Sequence, residues 1–230
     1  MEKRIFWIGD STVHFNRVDT WPQRGMGQEL EAYLRPGVVV YDYAENGRST
    51  KSFWDQGLFE PVREAMKAGD FLFIQFGHND EKSEDPARYA DPEAYQENLL
   101  RYVSIARAAG AFPVLITPLT RRRFEGGCLT ESHGAYPAAV RALAEREGIP
   151  LIDLTAASRA LVESLGDEES RELYMNFPAG LYPSHPDGSD DNTHLRQWGA
   201  FRFAGLVADG LKALGGIYTQ LLYDPQRDKK

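Results

Sequence analysis

Short apolar runs alternate with longer amphipathic stretches along this chain. Residues 4–8 make a first run, which stops at Gly9-Asp10-Ser11. Residues 38–43 are rich in β-branched side chains and stop at Glu45-Asn46-Gly47. Residues 71–76 end at Gly77, residues 112–116 end at Thr117-Pro118, and residues 150–154 form a fifth run. None shows the strict alternation of a half-exposed strand. Each therefore predicts a strand covered on both faces, the environment of a parallel sheet.

Helical spacing fills the gaps. It predicts helices over 21–34, where Leu30 and Leu34 lie one turn apart, and over 61–68. A long one covers 92–109, with Leu99, Tyr102, Val103 and Ala106 on one face and Gly110 as its stop. Another covers 133–146, with Val140, Leu143 and Ala144 inward and Gly148 beyond its end, and two more cover 156–165 and 197–214. Five strands alternating with helices predict an α/β fold with a doubly wound sheet and right-handed crossovers. No repeat, linker or shift in composition interrupts the pattern. It predicts one domain over 1–222 and a frayed, charged tail over 223–230 that contains Pro225.

Composition narrows the possibilities. The chain has 230 residues and is 42% hydrophobic, which suffices for a substantial core. No apolar run approaches the roughly 20 residues that span a bilayer. The run after Arg4 is too short for a signal-peptide core and no small-residue cleavage site follows it, so the expected location is cytoplasmic. A formal charge of −8 argues against nucleic acid or an anionic membrane as a partner. The single cysteine, Cys128, makes no intramolecular disulfide and no thiolate metal site, and reads as a bystander in a Gly-rich loop.

In open α/β sheets, ligands bind beyond the carboxyl ends of the strands. Strand one ends in Gly9-Asp10-Ser11-Thr12, which puts a serine hydroxyl at the mouth of such a site, or else supplies Asp10 or Ser11 as a cap for the next segment. Strand two is followed by Asn46-Gly47, where a backbone N–H can approach a bound carbonyl closely. Strand three is followed by Gly77-His78-Asn79-Asp80, whose Asn79 amide is a further donor, although both are also ordinary turn sequences. In the strand order 2-1-3-4-5 these three ends are neighbours. Near the C-terminus stands Asp191-Asn192-Thr193-His194. Imidazole titrates near neutrality and can take a proton from serine, and a carboxylate three residues earlier, in one tight turn, can hold its far ring nitrogen. The same stretch has two rival readings. His185, Asp187, Asp190, Asp191 and His194 are metal-ligand types, though at no standard spacing, and an acidic solvated loop would look alike.

Taken together, these blocks resemble the SGNH, or GDSL-type, hydrolase superfamily, whose name lists the Ser, Gly, Asn and His found here as Ser11, Gly47, Asn79 and His194. Within it the chain resembles the rhamnogalacturonan acetylesterases of carbohydrate esterase family 12. The features are Gly-Asp-Ser-Thr, Ala-Glu-Asn-Gly-Arg-Ser, Phe-Gly-His-Asn-Asp and the stretch Thr117-Pro118-Leu119-Thr120-Arg121-Arg122-Arg123-Phe124. The resemblance implies a three-layer α/β/α sandwich around a five-stranded parallel sheet in flavodoxin-like order. It implies Ser11 as nucleophile, His194 as general base and acid, and Asp191 as the group that orients His194. The implied oxyanion donors are the backbone of Ser11, the backbone of Gly47 and the side chain of Asn79, with no metal and no organic cofactor. Thr12 replaces the Leu of the name-giving motif, and Asn192-Thr193 replaces the usual pair between Asp and His.

The implied reaction removes acetyl groups from plant cell-wall fragments, first of all acetylated rhamnogalacturonan oligosaccharides. Acetylated xylan oligosaccharides and short-chain lipids or thioesters are alternative substrates. A sugar-binding protein without activity would be expected to have lost Ser, Asp or His. Two features suggest substrate contacts. Trp54, in the polar segment after the second block, is suited to stack on a sugar. Arg121, Arg122 and Arg123 are suited to pair with galacturonate carboxylates, unless they are a solvated loop or are spent on internal ion pairs. Nothing in the sequence speaks to oligomeric state.

Overall fold

A computed structural model describes residues 3–226 and 228. The strands, in chain order, are β1 (Lys3–Gly9), β2 (Val38–Asp42), β3 (Phe71–Gln75), β4 (Phe112–Ile116), β5 (Phe124–Glu125), β6 (Cys128–Leu129), β7 (Leu151–Ile152), β8 (Tyr174–Phe177) and β9 (Ser189–Leu195). The helices are α1 (Met26–Glu29), α2 (Thr50–Asp55), α3 (Glu60–Ala65), α4 (Pro92–Ala108), α5 (Tyr136–Glu147), α6 (Leu154–Ser170), α7 (Gln197–Leu214) and α8 (Gly216–Thr219). The central sheet has five strands in the order β2-β1-β3-β4-β7, and every pair in it is parallel. This is the expected flavodoxin-like order.

Successive side chains of a strand point to opposite faces, and the core divides accordingly. Ile5, Trp7, Phe71, Phe73, Val114, Ile116 and Ile152 pack on one side against α1, α6 and α7. Phe6, Ile8, Leu72, Ile74 and Leu115 pack on the other against α2, α3, α4 and α5. The result is a three-layer α/β/α sandwich. Each large side chain buried this way contributes roughly 1.5–3 kcal/mol, so both helical layers are strongly held to the sheet. Among the described residues, no helix is long and apolar enough to cross a membrane.

The clearest helices have clear boundaries. Asp91 caps α4 by accepting the amides of Glu93 and Ala94, with Pro92 in the first turn. Gly148, at φ 59°, ends α5. The expected helix 156–165 begins two residues early in α6, where Asp153 accepts the Ala156 amide, and its regular part stops at Gly166, which is not helical.

Elsewhere the structure corrects the sequence reading. No continuous helix covers 21–34: there are only α1 and a 3₁₀ turn at Leu30–Tyr33. The reason is competition for amides. Arg24 donates to the carbonyl of Leu195, Met26 to Thr12 and Gly27 to Val13, so these groups serve the turn after β1 and the end of β9 instead of a helix. A short helix, α2, occupies the polar segment after Gly47, where the sequence reading assigned no element. The chain after α6 forms an antiparallel hairpin, β8–β9, where the sequence reading assigned no strand. Cys128, expected in a loop, is exposed on β6. Of the expected tail, Tyr223 is still tied to the carbonyl of Tyr33, and residues 227, 229 and 230 lie outside the described residues.

Candidate active site

Ser11 stands two residues beyond the end of β1 and is 7% exposed. The turn that presents it is built by Asp10, whose backbone carbonyl accepts the amides of Val13 and His14. The Asp10 side chain accepts the amide of Thr12 at 3.0 Å and its hydroxyl at 2.8 Å. The capping reading therefore belongs to Asp10, which leaves the Ser11 hydroxyl free to face the cleft.

Ser11 Oγ lies 2.9 Å from His194 Nε2, and His194 Nδ1 lies 2.6 Å from Asp191 Oδ2. A carboxylate accepts, so Nδ1 carries the proton and Nε2 presents its lone pair to the serine hydroxyl. The other Asp191 oxygen accepts the amides of Thr193, at 2.8 Å, and His194, at 3.0 Å. Burial alone would raise the Asp191 carboxyl, but the hydrogen bond and charge of His194, with those two amides, bring it down to about 2. It is therefore an anion at any ordinary pH.

The tight turn expected at 191–194 exists inside a strand. Tyr174 pairs with Leu195 while the next residue, Met175, pairs with Asp191, so residues 192–194 bulge from β9. The bulge is pinned from behind. Arg122 donates its backbone amide to the carbonyl of Asn192 at 2.9 Å and its Nη1 to Asn192 Oδ1 at 2.8 Å. Asn176 Nδ2 donates to the carbonyl of Asp191 at 2.9 Å and to Asn192 Oδ1 at 3.1 Å.

Gly47 and Asn79 border the same cleft as Ser11, His194 and Asp191, a space of about 340 Å³. Gly47 has φ 72°, in the left-handed region that favours glycine. The amides of Ser11 and Gly47 carry no hydrogen bond among the described residues. Asn79 donates one Nδ2 hydrogen to the carbonyl of Arg48 at 3.0 Å, and its Oδ1 accepts Arg88 Nη1 at 3.3 Å. This pattern fixes the amide orientation and leaves the second Nδ2 hydrogen for a ligand. Asp80 ties the two loops together by accepting the amide and hydroxyl of Thr50, and burial pushes its carboxyl up to about 7.

A second buried pair lies under the nucleophile. His78 Nδ1 stands 3.1 Å from Asp10 Oδ2, and the ring packs edge-on against His133. Burial lowers His78 to about 4 against the pull of Asp10, so the ring is neutral. His133 is buried and held by Glu81 and the carbonyl of Leu119. His14 hydrogen-bonds the carbonyl of Ala44 at 2.6 Å.

The expected substrate contacts fare differently. Trp54 does not border the cleft; it packs between Phe59 and Tyr102, with the Arg101 guanidinium 4.6 Å from its ring centre. The arginine run is split three ways because its neighbours are. Arg121 reaches the cleft but is engaged by Glu81 and by the carbonyls of His78 and Ser132. Arg122 is 4% exposed and paired with Asp167. Arg123 points outward and pairs with Glu125. Two cations not singled out in the sequence, Lys82 and Arg88, border the cleft instead. Among the described residues, no group of three or more His, Cys, Asp or Glu is placed to hold a metal.

Residues 7–200 match the family described as GDSL-like lipase/acylhydrolase. The chain is 40% identical over 213 residues to a Bacillus subtilis protein named rhamnogalacturonan acetylesterase RhgT, covering 92% of this chain and 90% of that one. It is 35% identical over 221 residues to another from Bacillus subtilis named probable rhamnogalacturonan acetylesterase YesY, covering 96% and 97%. The crystal structure of YxiM from Bacillus subtilis superposes with a TM-score of 0.80 at 28% identity, covering 93% of this chain and 57% of that one.

Proposed function

The chain belongs to the GDSL-like lipase/acylhydrolase family, and from that premise we propose that it is a serine esterase releasing acetate from acetylated rhamnogalacturonan oligosaccharides. The observation that carries the proposal is the relay from Asp191 through His194 to Ser11, with both heavy-atom separations at hydrogen-bond length. In the proposed reaction His194 takes the Ser11 proton as Oγ attacks the acetyl carbonyl. The oxyanion is held by the amides of Ser11 and Gly47 and by Asn79 Nδ2. His194 then protonates the departing sugar oxygen, and a water activated by the same ring frees acetate from the acyl-enzyme.

The cleft wall supports a short acyl group on a hydrated alcohol. It is made of Ser, Asn, Gly, His, Lys, Arg, Asp and Thr, with no aliphatic side chain to receive a long acyl chain. The two named acetylesterases among the similar proteins support the sugar class. The test is acetate release from acetylated rhamnogalacturonan oligosaccharides beside acetylated xylo-oligosaccharides and longer acyl esters. Rhamnogalacturonan fragments should be turned over best, and Ser11→Ala should lose nearly all turnover on every ester. A preference for octanoyl over acetyl esters, or wild-type turnover in Ser11→Ala, would sink the proposal.

A further inference from the structure

The loop after β3 carries Asn79 and, three residues on, Lys82, whose backbone amide donates to the carbonyl of Asn79 at 3.3 Å. That turn sets the Lys82 side chain on the cleft wall close to the Asn79 donor. Its two cationic neighbours are committed. Arg88 is held by Asp85 and Asn79, and Arg121 by Glu81. The cleft's own carboxylate, Asp191, is committed to His194. Among the described residues the Lys82 ammonium has no ion pair and no hydrogen bond. Burial, then Arg88 and Arg121, lower its proton affinity, while Glu84 and Glu81 act in the opposite sense. A partly desolvated ammonium without a partner, on a cleft wall it shares with two guanidinium groups, is disposed to take up an anion. It is the more notable in a chain whose net charge is −8.

We propose that Lys82 reads a carboxylate on the substrate, so that the cleft selects acetylated oligosaccharides in which a uronic acid lies at or next to the acetylated sugar. The inference rests on the esterase reading above and narrows it. Arg88 and Arg121 add long-range attraction but keep their own partners, so Lys82 is the group that closes on the carboxylate. A neutral acetylated chain would leave that partly desolvated ammonium unpaired, which turns the same lysine into a means of rejection.

The test compares kcat/KM on acetylated rhamnogalacturonan oligosaccharides as free acids and as carboxyl methyl esters, with wild type, Lys82→Gln and Lys82→Arg. Wild type should favour the free acid by roughly ten-fold or more, mostly through KM, and added salt should erode the preference. Lys82→Gln should bring the ratio near one, and Lys82→Arg should keep most of it. A variant merely damaged in its fold would lose rate on both forms and keep the ratio. Acetylated xylo-oligosaccharides with and without a glucuronate branch form a second pair; a larger free-acid effect in the first pair assigns the carboxylate to backbone galacturonate, and in the second to a side branch. Equal turnover of acid and ester by wild type, or an intact ratio in Lys82→Gln, overturns the inference alone. Absence of acetate from every saccharide, with p-nitrophenyl acetate still cleaved, overturns the carbohydrate-esterase reading and the inference with it.

Discussion

Arg122 holds Asn192 at two points, by amide to carbonyl at 2.9 Å and by guanidinium to side-chain oxygen at 2.8 Å. Asn192 lies between Asp191 and His194, so this grip sets the shape of the bulge on which the imidazole rides. Arg122→Gln removes the guanidinium and leaves the backbone contact. Its kcat on an acetyl ester should fall by about ten-fold or more, with a displaced acid limb in the pH profile of kcat/KM. Its melting temperature should fall as well, because Asp167 loses its partner. Normal kcat with an unmoved pH profile would show that the bulge keeps its form unaided.

Asp191 acts on His194 through one short hydrogen bond and on the bulge through two amides. Asp191→Asn keeps the size but offers the imidazole an uncharged partner that can select the wrong tautomer. Turnover should drop by roughly 10³–10⁴ with KM little changed. A loss below ten-fold, measured under saturating ester, would remove Asp191 from the relay.

Asn79→Ala deletes one of the proposed donors to the oxyanion and should lower kcat by roughly 10²–10³. Arg88→Met removes the guanidinium that accompanies Asn79 Oδ1, so it should cost less and act on the same kinetic step. If Arg88→Met lowers kcat further when Asn79 is already Ala, the two do not act through one amide.

His78 provides a pH signature. Its imidazole titrates at about 4 in the folded protein against an ordinary value of 6.5. As pH falls below 6.5 the unfolded chain takes up a proton that the folded one refuses. The stability His78 confers is therefore complete above about 6.5 and is lost as pH drops toward 4. His78→Asn, which retains a donor toward Asp10, should flatten the fall in melting temperature across that window. An identical slope in wild type and variant would mean that other groups govern acid unfolding.

Gly199, in the first turn of α7, faces the backbone just before β8. A Cβ built there would sit 1.8 Å from the carbonyl oxygen of Leu173. Gly199→Ala should destabilise the protein by about 1–3 kcal/mol or more, read by urea denaturation. An unchanged midpoint would mean that α7 shifts away freely.

Much of this architecture is visible in the chain because the β1, β3 and β4 strands are covered on both faces and show as unbroken apolar runs. Ser11, Gly47 and Asn79 are visible for a related reason: each follows a strand end, and the strand order makes those ends adjacent. The β8–β9 hairpin is not visible. Its second strand reads Ser-Asp-Asp-Asn-Thr-His-Leu, a polar stretch whose bulge breaks any alternation. The helix expected at 21–34 fails because amphipathic spacing does not report that Met26 and Gly27 donate to the turn after β1. Arg122 reads in sequence as a substrate contact, a solvated residue or half of an internal ion pair, and spacing alone does not choose the ion pair because its partners Asp167 and Asn192 lie 45 and 70 residues away. Trp54 reads as a sugar platform because a sequence cannot tell that Tyr102 and Arg101 cover its ring.

The proposed nucleophile and oxyanion donors stand at strand ends of the five-stranded sheet, whereas the imidazole arrives on the separate β8–β9 hairpin, which is anchored in the core by Tyr174 and Leu195 and clasped at its bulge by Arg122. Serine and imidazole thus meet only where two separate sheets are seated on one core, so the 2.9 Å between them registers how squarely the hairpin sits against the sandwich.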